Sequence, residues 1–198
     1  MASRKRSEQG FTLVELLVSM TVLVMMSLVF LVFFKSALFD YLNLQTDATN
    51  LTELSTQEMR LGNVIRGLTI INSASANNLS MYAYFNPNDT YVSLVDYYLQ
   101  QNGKSMDLLA SVTPMTANPP IGTPLTSQMH TYTIMDDYYE PSNVSLFTYL
   151  DDTDSPIALP ISNLEEVKAI QINLGTPLTN GGKQAINVQV TLRNRETN

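Results

Sequence analysis

The sequence predicts an α+β protein in which a long N-terminal helix packs on a mostly antiparallel β-sheet. Between Phe11 and Leu61 the chain contains neither glycine nor proline, the two residues that most strongly disfavour a helix interior. From residue 68 onward, short runs rich in β-branched and aromatic residues alternate with turn-forming residues. Too few helical segments follow for a parallel α/β fold. We therefore expect one long helix that is followed along the chain by one globular unit.

The first half of the helix, residues 11–34, is apolar and long enough to span a bilayer. Glu15 is the one charged residue within it, and a carboxylate in a spanning helix costs about 2.5 to 3.5 kcal/mol. Near a helix start the positive end of the helix dipole offsets part of this cost, as would a free α-amine if the chain were cut before Phe11. The basic run at residues 4–6 fits the positive-inside rule. Glu15 is predicted to be functional.

Residues 4–34 resemble the class III signal of type IV pilins and type II secretion pseudopilins, with a basic leader, Gly10, then Phe11-Thr12-Leu13-Val14-Glu15 and an apolar stretch. The resemblance implies that a membrane prepilin peptidase cuts after Gly10 and N-methylates Phe11. It also implies that Glu15 pairs with the amine of a neighbouring subunit during filament assembly. Other pilins, contacted through the N-terminal helix, and an inner-membrane assembly platform are the implied partners.

An ordinary signal segment is the alternative interpretation of residues 1–34. A secretory signal has a shorter apolar core followed by a small-x-small cleavage site, and no such site follows Phe34. A plain signal anchor would satisfy the charge pattern but leaves Glu15 without a role. We therefore divide the chain into a leader (1–10), a membrane or filament-core segment (11–34), an amphipathic helical segment (35–66) and a β-rich pilin domain (67–198).

The amphipathic half of the helix carries apolar residues close to a 3.6-residue period, and Gly62 and Gly67 bracket its expected end. The residues of this stripe are Leu44, Ala48, Leu51, Leu54, Leu61 and Ile65. Such a stripe predicts packing on the sheet that follows.

Eight runs are predicted to be strands: 68–72, 79–85, 91–100, 105–112, 129–135, 144–150, 167–174 and 185–193. Asn102-Gly103 predicts a type I′ hairpin with both residues at its centre. Four prolines between Val112 and Gln128 predict a long loop.

Within the pilin class, the β-rich region resembles minor pilins and the J-type pseudopilin or W-type minor pilin group, in the runs 78–85, 95–99, 146–152 and 167–174. Major pilins commonly carry Gly and Pro in the first half of the helix, whereas Val32 stands where that Pro would fall. An uninterrupted helix and the broad loop favour a tip or initiation subunit. The absence of cysteine disfavours the major pilins that close a C-terminal loop with a disulfide.

Catalytic and cofactor chemistry finds little support in the sequence, and we expect no enzyme. His130, the single histidine, lies in a strand-like alternation and is expected at or near the surface. A weak calcium candidate is formed by Asp151, Asp152 and Asp154, although Asp, Ser and Pro are also common in simple turns, which is the favoured interpretation. Asp136-Asp137 is likewise expected to be a turn. No other cofactor is expected.

The net charge of the chain narrows the classes of binding partner that it suits. The formal net charge is −7, and removal of residues 1–10, which hold three bases and one acid, takes the side-chain charge to −9. Such a surface does not suit direct binding to nucleic acid.

Three hypotheses remain. The first is a minor pilin or pseudopilin of a type IV filament, inserted in the cytoplasmic membrane with its C-terminal domain outside before it enters the filament. The second is a signal-anchored surface binding module, and the third is a pseudopilin of a DNA-uptake apparatus.

Overall fold

The computed structural model describes residues 12–103, 105–139, 144–179 and 181–192. One helix, α1 (Leu13–Arg66), precedes every strand. The strands are β1 (Ile70–Ala74), β2 (Asn78–Ala83), β3 (Ser93–Asn102), β4 (Ser105–Pro114), β5 (His130–Tyr138), β6 (Phe147–Leu150), β7 (Ala169–Pro177) and β8 (Lys183–Thr191). Each overlaps one of the predicted runs, and the α+β class is confirmed.

The strands of the described residues form two antiparallel sheets, where one was predicted. The first has the order β1-β2-β3-β4-β5 and the second the order β6-β7-β8. They are joined at the end of β5, where the Tyr139 N–H donates to the Gly175 carbonyl at 2.9 Å and the Tyr138 hydroxyl donates to the Asn173 carbonyl at 3.2 Å. Residue alternation identifies strands but not their pairing, so the partition into two sheets was not predictable from it.

The chain divides into two compact units, of which the first ends at Thr46 and the second begins at Asp47. In the first unit every side chain from Leu13 to Leu42 is exposed. This part of α1 is therefore a helix without a core of its own.

In the second unit α1 contributes Leu54, Leu61, Val64 and Ile65 to the same buried cluster as both sheets. The predicted stripe is wrong over its first half, because Leu44, Ala48 and Leu51 are exposed. Periodicity shows which residues share a helix face, but it does not show how far along the helix the sheets reach. Gly67 follows the helix end as expected.

The β3–β4 hairpin turns one residue later than predicted. Asn102 pairs with Ser105 as the last residue of β3, so the loop consists of residues 103 and 104, the second of which lies outside the described residues. Gly103 has a φ of +61°, whereas Asn102 is not in the left-handed region. Gly103 supplies a positive φ for the turn at no steric cost, so Asn102 stays in the extended strand.

The proline-rich segment is a hydrogen-bonded hairpin and not an open loop. Beyond β4, which extends to Pro114, the Thr116 N–H donates to the Thr123 carbonyl at 3.1 Å, and the Leu125 N–H donates to the Pro114 carbonyl at 2.8 Å. The Asn118 side chain accepts from the Val92 N–H at 2.9 Å, which ties the hairpin to the start of β3. A short 3₁₀ helix, Thr126–Gln128, then leads into β5.

Two buried tyrosines anchor the core at opposite sheets. Tyr97 on β3 and Tyr149 on β6 are each 1% exposed. Burial raises the pKa of both hydroxyls above the ordinary tyrosine value, since the charged form loses hydration, while Arg60 partly offsets this for Tyr97. The Tyr149 hydroxyl donates to the Ser75 carbonyl at 2.9 Å and so connects the second sheet to the β1–β2 turn.

The junction of the two sheets generates a stability prediction. A Cβ at Gly175 would overlap the carbonyl oxygen of Tyr139, which is backbone and cannot move without breaking the junction. We predict that Gly175→Ala lowers the free energy of unfolding by about 1 to 3 kcal/mol, as overpacking in a core does. Urea denaturation of the full chain in detergent, followed by near-ultraviolet circular dichroism, measures it.

Gly62→Ala is the matched control. It adds the same methyl group inside α1, where the nearest atom, Val190 Cγ2, would stand 3.5 Å away in ordinary contact. Alanine is favoured over glycine in a helix by up to about 1 kcal/mol, so this variant should be as stable as the wild type or more so. Equal destabilisation by both variants would show that the close approach at Gly175 has no special role.

Candidate assembly site and other candidate residues

The first turn of α1 places Glu15 at its third helical position. Thr12 stands directly before the helix, and its hydroxyl oxygen accepts from the Glu15 N–H at 3.3 Å, while the Thr12 carbonyl accepts from the Leu16 N–H at 3.1 Å. Thr12 therefore caps the helix N-terminus. The spacing Thr-x-x-Glu, from Thr12 to Glu15, is that of a capping box, a signal that is visible in the sequence.

This cap gives Glu15 a structural role beside the predicted assembly role. A carboxylate in the first helical turn interacts favourably with the helix dipole, by about 0.3 to 1 kcal/mol at an exposed position. That gain is smaller than the roughly 2.5 to 3.5 kcal/mol cost of a central membrane carboxylate. A partner cation for Glu15 remains a prediction.

The other polar side chains of the segment need no external partner. Ser19 donates its hydroxyl to the Leu16 carbonyl, Thr21 to the Val18 carbonyl and Ser27 to the Leu23 carbonyl, each at 2.8 Å. Such bonds along the helix satisfy hydroxyl groups where water is absent. Glu15 is thus the group in this segment whose chemistry calls for a neighbour.

The apolar surface around these residues is uncovered. Phe30, Val32 and Phe33 are 65%, 71% and 73% exposed, and no residue is buried in the most apolar stretch of α1. By length and composition this helix is able to cross a membrane. An uncovered surface of this size fits hydrocarbon or the helices of other subunits.

Gly10 and Phe11, the predicted cleavage and methylation residues, lie outside the described residues, as does the leader. Their assignment stays a prediction from the sequence.

Comparison with known proteins bears on this segment alone. A family model described as the prokaryotic N-terminal methylation motif matches residues 5–31. A search of curated proteins finds none that matches the chain. The chain thus carries a type IV pilin-like prepilin signal, which the uncovered apolar helix accompanies in the fold. The signal indicates a pilin-like, membrane-anchored protein that prepilin peptidase processes and that assembles with other pilins.

The acidic residues 151–154 form a turn closed by their own carboxylate. Asp151 Oδ1 accepts from the Thr153 N–H at 2.8 Å, the Thr153 hydroxyl at 2.7 Å and the Ser155 N–H at 2.9 Å. The bond from Ser155, followed by those from Thr153, lowers the pKa of Asp151. Asp154 accepts from the Gln189 amide at 2.6 Å. Within the described ranges no group of three or more His, Cys, Asp or Glu residues is arranged to hold a metal ion.

Two further expectations concern β5. His130 is an exposed residue at the start of this strand, as expected. Asp136 and Asp137 lie inside β5 and not in a turn, so that expectation is wrong. The pairing with β4 is irregular here, and Asp137, with a φ of +52°, donates its N–H to Asp107 at 3.2 Å. A bulge of this kind has no recognisable signal in the sequence.

A contact that sequence reasoning missed fastens α1 to the β7–β8 connection. Asp47 Oδ1 accepts from the Thr179 N–H at 2.8 Å and from its hydroxyl at 2.7 Å. The two residues are 132 positions apart, so no local pattern reveals the pair. Asp47 is also the first residue of the second unit, so this contact lies where that unit begins.

Processing generates the first prediction for this segment. Gly10→Val should block removal of the leader, because a branched side chain crowds the peptidase site before the scissile bond. Mass spectrometry of membrane-extracted wild type should give a chain that begins with methylated Phe11, and the variant should retain the leader. Ser7→Ala, a change within the leader away from the bond, should be cleaved normally. Wild type that keeps Met1 in cells with an active prepilin peptidase contradicts processing.

Filament assembly gives the second prediction for this segment. Glu15→Val removes a buried-charge cost of about 2.5 to 3.5 kcal/mol, so membrane insertion should be intact or improved. It also removes the partner for a neighbour's α-amine, so recovery in sheared filaments should fall at least tenfold. Glu15→Asp keeps the charge and should retain part of the assembly. Normal incorporation of Glu15→Val would show that no ion pair at this position is needed.

Proposed function

We propose that this chain is a minor pilin or pseudopilin that acts at the tip or in the initiation of a type IV filament or a type II secretion-like pseudopilus. The observation that carries the proposal is the uninterrupted helix that begins within the prepilin signal. This helix, α1, runs for 54 residues, from Leu13 to Arg66, and Val32 lies in regular helical structure. No glycine or proline lies in α1 before Gly62, so its apolar half has no weak point at which to loosen when neighbours pack around it. That stiffness suits an end position better than a shaft position.

The globular unit is compatible with this role. In the five-stranded sheet β1–β5, an antiparallel order with α1 against the shared core follows the general arrangement expected for pilins. The proline-rich hairpin exposes Ile121 at 86% but is otherwise held by its own hydrogen bonds. Because this segment is a hydrogen-bonded hairpin and not the broad open loop that was expected, the helix supports the proposal more strongly than the hairpin does.

Topology and partners follow from the proposal. The N-terminus starts in the cytoplasm and the second unit lies outside, where it is pulled into the filament by an inner-membrane assembly platform. Other filament subunits are contacted through α1, and membership of the J-type or W-type group is part of the proposal. The role is structural, without a catalytic centre or a resident cofactor.

The proposal is tested by position and abundance. Filaments sheared from cells that express the epitope-tagged chain at its natural level should carry it at one end, at most a few copies per filament, by immunogold labelling and by quantitative mass spectrometry against the major subunit. Deletion should reduce filament number and not filament length, because initiation and not elongation is lost.

Uniform labelling along the shaft at major-subunit abundance would overturn the tip assignment. A chain absent from filaments, with its leader retained and its second unit on the cell surface, would instead favour the anchored binding module.

A further inference from the structure

A groove lies between α1 and the segment that follows β2 within the second unit. It encloses about 650 Å³, with Met59, Arg60 and Asn63 on the helix side and Tyr84, Phe85 and Pro87 on the other. Phe85 is buried, whereas Met59 is 59% and Tyr84 41% exposed. The groove therefore has an aromatic floor and apolar rims that are open to solvent.

The charge of this groove is opposite to that of the chain. Acidic residues outnumber basic ones by 18 to 11 in the sequence, yet the residues that line the groove include no carboxylate and one guanidinium, that of Arg60. The lining of the groove thus carries one positive charge, and Asp89, which accepts from the Asn86 N–H at 3.0 Å, lies just outside it. The Arg60 guanidinium is the group of the lining that can pair with an anionic group of a partner.

Arg60 contacts an aromatic ring and, among the described residues, no carboxylate. Its guanidinium carbon stands 5.1 Å from the centre of the Phe85 ring, and Tyr132 stacks against that ring with centroids 5.2 Å apart. The helical positions three and four residues away carry Thr56, Gln57, Asn63 and Val64, none of them acidic. Across the described parts of the chain no carboxylate forms a salt bridge with Arg60. Its N–H donors are pre-positioned for an outside acceptor.

The composition of the groove is that of a protein interface. Arg, Tyr and Met are enriched at such surfaces, and an aromatic pocket with one charged anchor is typical of the residues that dominate binding. A nucleic-acid backbone would call for a row of cations, and the groove offers one. One cation beside an apolar floor matches one carboxylate beside an apolar side chain.

We propose that this groove binds a segment of a neighbouring filament subunit that presents a single Asp or Glu carboxylate next to an apolar side chain. Arg60 receives the carboxylate in a forked, charge-assisted pair, and the apolar neighbour packs on Met59 and Tyr84, the exposed apolar side chains of the lining. The inference rests on the proposed assembly with other subunits and names the chemistry of that contact. It gives the second unit an interface of its own, separate from the apolar first half of α1.

The test uses the full processed chain in detergent and a labelled probe peptide, Gly-Ser-Leu-Asp-Leu-Ser with blocked ends, with its Asn analogue as the matched control. Fluorescence anisotropy should show saturable binding of the Asp peptide at least tenfold tighter than of the Asn peptide. Arg60→Gln should abolish this difference, and Arg60→Lys, which keeps the charge without the fork, should retain part of it. Near-ultraviolet circular dichroism confirms that the variants are folded.

Arg66→Gln is the charge control, since it removes the same charge from the same helix and Arg66 does not line the groove. It should keep the preference for Asp. Equal binding of the two peptides, no saturation below about 1 mM, or an equal loss in Arg66→Gln would overturn the proposal. Arg60-dependent binding to phosphatidylglycerol vesicles with no peptide preference would assign the groove to the membrane surface instead. None of these results depends on filaments, so a failed tip assignment is distinguishable from a failed groove.

Discussion

An uncovered apolar helix is the constraint on which the rest of this molecule depends. From Leu13 to Leu42 the side chains are exposed, and most are Leu, Val, Met or Phe. Transfer of one such side chain out of water stabilises by about 1.5 to 3 kcal/mol, so the segment as a whole cannot remain in water as a single helix. It must lie in hydrocarbon or against other helices, and the prepilin signal that overlaps it indicates a membrane-anchored protein that assembles with other pilins.

Hydrocarbon and the helices of other subunits differ in their effect on the Glu15 carboxylate. In hydrocarbon the carboxylate is a cost, reduced by its place in the first helical turn beside the Thr12 cap. Against another subunit it becomes a group that a cation can pair. Because the hydroxyls of this segment are satisfied along the helix, we predict that the pairing of Glu15 with a neighbour's amine favours the filament over the membrane.

Within the second unit, α1 is held by packing against the sheets and by hydrogen bonds. The sheets cover α1 from Leu54 onward, and Asp47 holds the β7–β8 connection seven residues earlier through two hydrogen bonds. Between them, Ala48 and Leu51 remain exposed. The groove beside Arg60 lies on the same helix, so one element contributes both to the core and to the proposed subunit contact.

Local features of the fold were predictable from the sequence and long-range ones were not. The helix and all eight strands follow from periodicity and β-branched content, which depend on neighbours only a few residues apart. The division into two sheets, the bulge at Asp137 and the pair Asp47–Thr179 depend on residues distant along the chain. The prepilin signal was readable because its spacing is fixed, whereas the environment of Arg60 arises only when Phe85 and Tyr132 are brought together.

The exchange of environments around α1 can be measured directly, because the chain has no cysteine of its own. A spin label on Val29→Cys reports the helix surface, and one on Gln101→Cys, exposed at the end of β3, reports solvent. In isolated membranes the label at 29 should be relaxed by oxygen and not by an aqueous nickel chelate. In sheared filaments it should be shielded from both, while the label at 101 stays open to nickel. A label at 29 that is open to nickel in membranes, or open to either reagent in filaments, would contradict the account.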